Sequence, residues 1–191
     1  MGIRNKIERK PFPESKREKI FYISRLIGSY YASKNYAVFK EIGLPKVYSD
    51  RRYGSKRADI LCINSKDEVI ILETKSSWQD YKTDNKWEYY LDWCHKFYFV
   101  AEDSLASRIK EDLKNKEVGV IAIKVGAYED KPFFIKNAKR REPELLSHNL
   151  KKLYKAIIFR SSSFRMNGCV NLYSQFYPPH YISAHNLMDT L

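Results

Sequence analysis

One stretch constrains the fold of this chain more than any other: Val69-Ile70-Ile71-Leu72, followed at once by Glu73-Thr74-Lys75. A run of aliphatic residues without polar alternation reads as a strand buried on both faces, the central strand of a sheet covered by helices. Side chains alternate along a strand, so Glu73 and Lys75 share one face while Leu72 and Thr74 share the other. Solubility is a poor explanation for an acid and a lysine at the end of so apolar a strand.

The flanking elements follow from periodicity. Ser15 with Glu18 three residues on is a capping-box signal, and Ile20, Ile23, Ile27, Tyr30 and Tyr31 recur at helical spacing. They predict a helix from Ser15 to about Lys34-Asn35. Strands are predicted over 36–44 and 57–63, the second joined to the strand 69–75 by the polar turn Asn64–Asp67. A helix over 77–94 places Trp87, Tyr90, Leu91 and Cys94 on one face. A strand over 96–101, a helix over 104–115 and a strand pair over 118–125 and 133–136 come next. A last helix, 144–159, carries Leu146, Leu150, Leu153 and Ile157 on one face. The order predicts an α/β core, a mixed β-sheet flanked by helices. Residues 1–14 read as a flexible basic arm, 15–165 as the folded domain, and 166–191 as a C-terminal extension with no clear period.

Asp59 lies near the start of the strand before the apolar run. If the two strands pair through the Asn64–Asp67 turn, Asp59 faces Glu73 across the ladder. Adjacent carboxylates repel and call for a cation, and oxygen-only ligands suit Mg²⁺ or Mn²⁺. Asp59, Glu73 and the backbone carbonyl of Thr74 are therefore the expected metal ligands. Lys75 is expected to orient water and neutralise charge developing on a phosphorane. Glu41 is a candidate third acid or, alternatively, a solvent-facing strand residue. The competing explanation of the trio is a structural salt bridge at a strand end.

The formal net charge is +12, and residues 1–20 and 136–165 together hold +11 of it. Positive charge clustered in this way is the footprint of a polyanion binder. Candidate nucleic-acid contacts are Arg51, Arg52, Lys56 and Arg57 before the second strand, Ser76 and Lys86 after the third, and Lys139, Arg140 and Arg141. Asp80 and Asp84 suit the N-terminal dipole of the predicted helix, or else support Lys75 or contact DNA. The 3 Cys include no close pair. That argues against a disulfide framework or a zinc site and for a reducing, cytoplasmic compartment. Neither a secretory signal nor a membrane span is expected.

The sequence of elements, with Asp59 followed by Glu73-Thr74-Lys75, resembles the PD-(D/E)XK nuclease core. A closer resemblance is to the MmcB-like DNA repair protein family. It is carried by Arg57-Ala58-Asp59-Ile60, Glu73-Thr74-Lys75-Ser76-Ser77, Asp80, Asp84, Lys86 and Trp87. Phe97-Tyr98-Phe99-Val100, Gly119-Val120-Ile121, Gly126-Ala127, Arg140-Arg141 and Phe159-Arg160 continue it in order. Thr74 departs from the Ile or Val expected there. The resemblance implies a restriction-endonuclease-like fold, a DNA substrate and other DNA repair proteins as partners. The function expected is a Mg²⁺-dependent DNA endonuclease or DNA repair factor that hydrolyses phosphodiester bonds. The alternatives are a non-catalytic DNA-binding protein on the same fold and a restriction or phage-defence endonuclease. RNA is the alternative substrate.

Overall fold

The computed structural model describes residues 13–45, 56–124 and 130–161. The expected arm, apart from Pro13 and Glu14, the loop residues Arg51 and Arg52, and the extension 166–191 lie outside the described residues. The elements run α1 (Lys16–Ala32), β1 (Ala37–Gly43), β2 (Arg57–Ile63), β3 (Val69–Thr74), α2 (Trp78–Lys82), α3 (Trp87–Tyr90), a 3₁₀ turn (Leu91–Trp93), β4 (Lys96–Glu102), α4 (Asp103–Asp112), β5 (Gly119–Lys124), β6 (Lys131–Lys136) and α5 (Glu144–Ser161).

The strands form one six-stranded sheet in chain order, β1 to β6. β3–β4 and β4–β5 are parallel and the other pairs antiparallel, so the sheet is mixed as expected. Every residue of β3 is buried. Ile71, Leu61, Phe97 and Phe99 pack on one face with Ala106 and Ile109 of α4 and Leu153 and Ile157 of α5. Ile60, Cys62, Ile70 and Leu72 pack on the other with Ile23, Ile27 and Tyr31 of α1. Gly119 is required at its place in β5, because a Cβ there would stand 2.3 Å from Tyr98 Cε1.

Local chemistry explains the boundaries. Ser15 caps α1, its Oγ accepting the Glu18 N–H at 3.3 Å while its hydroxyl donates to the Glu18 carboxylate at 2.6 Å. The helix ends where Asn35 takes a left-handed φ of 62°. In the β2–β3 turn, Asn64 Oδ1 accepts the N–H groups of Lys66 and Glu68 at 2.9 and 3.0 Å.

The single helix expected over 77–94 is instead α2, α3 and a 3₁₀ turn. Asp84 interrupts it. One of its oxygens accepts the Lys86 N–H two residues on, at 2.8 Å, and the other accepts from Lys75. Such a side chain offers the backbone an alternative to the helical bond. The apolar face nevertheless survives: Tyr90 and Cys94 are buried, with Trp87 and Leu91 packed against the same cluster.

Near the site β1 and β2 change face together. Lys40 pairs with Ile60 and Ile42 with Ala58. Ile60 packs against α1, yet Ile42 and Ala58, an even number of residues along, pack in the opposite cluster. The reversal falls at Glu41, whose φ is 56°, and at Asp59, which that register sets opposite it. A left-handed residue other than glycine is uncommon in a strand, and here it rotates the strand pair about its own axis.

Candidate active site

The β2–β3 ladder runs from Ile63–Val69 to Ile60–Leu72. One residue further, Asp59 stands opposite Glu73, and side chains replace the ladder. The Asp59 N–H donates to Glu73 Oε1 at 3.1 Å. In return Asp59 Oδ2 accepts from the Thr74 N–H at 2.9 Å and from the Thr74 hydroxyl at 2.8 Å. The carbonyl of a strand residue leaves on the same side as its N–H, so the Thr74 carbonyl also opens toward β2. The hydroxyl that departs from the expected Ile or Val is a second donor holding Asp59.

Lys75 follows, its N–H bonded to the Val100 carbonyl at 2.8 Å. Its ammonium lies 2.5 Å from Asp84 Oδ2, 3.7 Å from Glu73 Oε2 and 5.7 Å from the centre of the Phe99 ring. Glu73, Lys75 and Asp84 are buried, at 2%, 5% and 8% exposure, while Asp59 is half-buried. Burial pushes the Glu73 carboxyl up and the charge of Asp59 adds to it. Against the opposing effects of Lys75 and the Asp59 N–H, the result is a pKa of about 8. Burial works against the Lys75 charge, but the bond to Asp84 and the charges of Glu73, Asp84 and Asp59 outweigh it and raise its pKa.

Asp80 is braced separately, accepting the Ser76 N–H and hydroxyl at 3.1 and 3.0 Å. Burial alone would raise its carboxyl, but the Ser76 bonds and the Lys75 and Lys16 charges hold it below the usual range. Ser77 Oγ accepts the Asp80 N–H at 3.1 Å and caps α2. Of the acids in this segment, then, Asp80 has the capping role and Asp84 supports Lys75.

The Glu41 carboxylate pairs with Arg57 Nε at 2.5 Å, both side chains being well exposed. The Lys56 carbonyl accepts the Leu44 N–H at 2.8 Å. Lys86 is exposed next to Asp84, and its ammonium makes no ion pair with any described residue. Lys139, Arg140 and Arg141 lie at the opposite end of the strands from Lys75. Lys139 pairs with Glu117 at 2.7 Å, Arg140 with Glu142 and, at 3.8 Å, with Glu68, and the Arg141 N–H bonds the His95 carbonyl at 3.0 Å. Glu68 and His95 precede β3 and β4, so this patch is a strand's length, roughly 15–20 Å, from Glu73 and Lys75.

The donor set suits a hard divalent cation. Among the described residues no three His, Cys, Asp or Glu stand together as a metal site, so Glu41 does not complete a three-acid set. Mg²⁺ is commonly held by one or two carboxylates, with water and substrate phosphates filling the other positions. Asp59, Glu73 and the Thr74 carbonyl fit that pattern.

Fold and site together define an α/β protein with two acids and a lysine where two central strands part. The family model for DNA repair protein MmcB-like matches residues 9–145, and the chain belongs to that family. None of the curated proteins matches the chain. Among solved structures, the SPO1766 protein of unknown function from Silicibacter pomeroyi shares the fold, with a TM-score of 0.54 and 20% identity over 72% of this chain and 82% of that one. Among the described residues no helix is long and apolar enough to cross a membrane.

Proposed function

We propose that this protein is a Mg²⁺- or Mn²⁺-dependent nuclease of the PD-(D/E)XK type that hydrolyses phosphodiester bonds in DNA during repair. One observation carries the reading: Asp59 and Glu73 meet across the β2–β3 divergence, with the Lys75 ammonium 3.7 Å from Glu73. The family supports DNA as the substrate class, and the net charge of +12 supports a polyanion.

Asp59, Glu73 and the Thr74 carbonyl would hold the cation, which would supply Lewis-acid polarisation of a phosphate oxygen and a water of lowered pKa. Lys75 orients the attacking water and stabilises charge on the phosphorane oxygens, and its burial makes that interaction stronger than it would be in water. Lys86 contacts a neighbouring phosphate.

The test is incubation of the full chain with single-stranded, duplex, nicked and branched DNA in Mg²⁺, Mn²⁺ or EDTA. Cleavage that needs the metal is expected. A second reading, a DNA-binding protein that keeps this fold without turnover, is favoured by the near-complete burial of Lys75 and its tie to Asp84. Binding with no metal-dependent product on any of these DNA forms selects that reading.

A further inference from the structure

The Lys75 ammonium has two carboxylates within reach, Asp84 Oδ2 at 2.5 Å and Glu73 Oε2 at 3.7 Å. All three side chains are shielded from water, so whichever acid takes the lysine gives up much of its attraction for another cation. Glu73 has little to spare. Its Oε1 already accepts the Asp59 N–H at 3.1 Å, and its other oxygen is the one facing Lys75.

Asp84 is fixed independently of the lysine. Its Oδ1 accepts the Lys86 N–H at 2.8 Å, and its own N–H bonds the Tyr81 carbonyl at 3.2 Å as the chain leaves α2. α2 is anchored in turn by the Ser77 cap and by Asp80 on Ser76. Asp84 therefore draws Lys75 to a set position and does not follow it.

From this geometry we infer that Asp84 is a positioning residue that keeps the Lys75 ammonium off Glu73 and leaves the Glu73 carboxylate available to a divalent cation. The inference rests on the nuclease-site reading above. Without the Asp84 charge, Glu73 is the nearest anionic acceptor, at 3.7 Å. A shift of about 1 Å brings Lys75 to a charge-assisted bond with Glu73 Oε2. An incoming cation must then displace the ammonium.

The test is Mn²⁺ uptake by the full chain, followed through the electron paramagnetic resonance signal of free Mn²⁺ at constant pH. Wild type, Asp84→Asn and the double variant Asp84→Asn with Lys75→Met are compared. The single variant is expected to lose affinity by about tenfold or more, the scale for losing a residue that orients a ligand. The double variant is expected to regain wild-type affinity, because the competing ammonium is gone. A purely structural role predicts the reverse, a double variant no better than the single one, and that result overturns the inference. So does a single variant that binds as wild type does, and in that case the metal site itself stands. Wild type that takes up no Mn²⁺ overturns the nuclease-site reading and this inference with it. Should Asp84→Asn alone fail to fold, Asp84→Ser, which keeps an oxygen for the Lys86 N–H and carries no charge, takes its place with the same outcomes: loss of affinity restored by Lys75→Met supports the inference, and wild-type affinity overturns it.

Discussion

The main-chain N–H of Asp59 donates to the carboxylate of Glu73 at 3.1 Å, while the carboxylate of Asp59 takes the N–H and hydroxyl of Thr74. Each acid thus mends the backbone of the opposite strand just where the β2–β3 ladder ends. The pair is structural and chemical at once, and substitutions have to separate the two roles.

Asp59→Ala leaves the buried Thr74 N–H and hydroxyl without their acceptor and is expected to cost about 1–3 kcal/mol. Asp59→Asn keeps an oxygen for Thr74 and is expected to cost less. Both are expected to lose Mn²⁺ binding and cleavage together. Urea unfolding beside Mn²⁺ titration checks this, and full metal affinity in Asp59→Asn excludes Asp59 as a ligand.

Lys75→Met removes the transition-state contact, and cleavage is expected to fall by about 10² or more. It also leaves Asp84 as a buried, unmatched anion, for which a destabilisation of about 3–5 kcal/mol is expected. Adding Asp84→Asn is expected to restore stability and not cleavage. Recovery of cleavage in the double variant assigns the loss to folding and removes Lys75 from the chemistry.

Glu73 carries a folded-state pKa of about 8 against an ordinary 4.5. Between those values the folded protein holds a proton that the unfolded chain releases. Metal-free stability from this group is therefore full below about 4.5 and falls as pH rises toward 8. His95 acts in the opposite sense at the acid end, because burial lowers its pKa and charging it there opposes folding. Melting temperatures in EDTA from pH 5 to 8.5, wild type against Glu73→Gln, isolate the Glu73 contribution. The variant is expected to gain on wild type steadily with pH, by about 2–4 °C for each kcal/mol. Parallel curves contradict the assignment. Mn²⁺ affinity of wild type is expected to rise over the same range, since binding releases that proton.

Lys86→Ala is expected to reduce the slope of log DNA affinity against log salt by about 1, as for one lost phosphate contact. Replacing Lys139 and Arg140 by Ala is expected to leave the slope nearly unchanged, because acids on the far end of the strands already hold them. Equal effects of the two substitutions mean that the DNA path covers both ends of the sheet.

Glu41 holds a left-handed backbone and an exposed ion pair with Arg57. Glu41→Gly relieves the first and loses little with the second, so a gain of about 0.5–1 kcal/mol is expected with Mn²⁺ affinity unchanged. A marked loss of Mn²⁺ affinity makes Glu41 a ligand after all.

The apolar run 69–72 with its polar end was enough to place a central strand and to set Glu73 and Lys75 on one face. Alternation along a strand is a local property, and burial on both faces is written into composition. The Asn64–Asp67 turn makes Asp59 and Glu73 neighbours only if the two strands pair through it, and the observed register supplies that pairing. Three things belonged to the tertiary structure alone. Asp84 reads from the sequence either as an acid in the first turns of one long helix or as a support for Lys75, and only its contacts with Lys75 and the Lys86 N–H decide for the second and break the helix. Lys139, Arg140 and Arg141 looked like a phosphate patch, and only the strand directions put them beside Glu68 and Glu117 and away from Glu73. Glu41 and Asp59 share a register in which β1 and β2 reverse faces, which a strict two-residue period does not foresee. In each case the deciding partner is distant in the chain or depends on a backbone reversal, whereas sequence patterns report only near neighbours in regular structure.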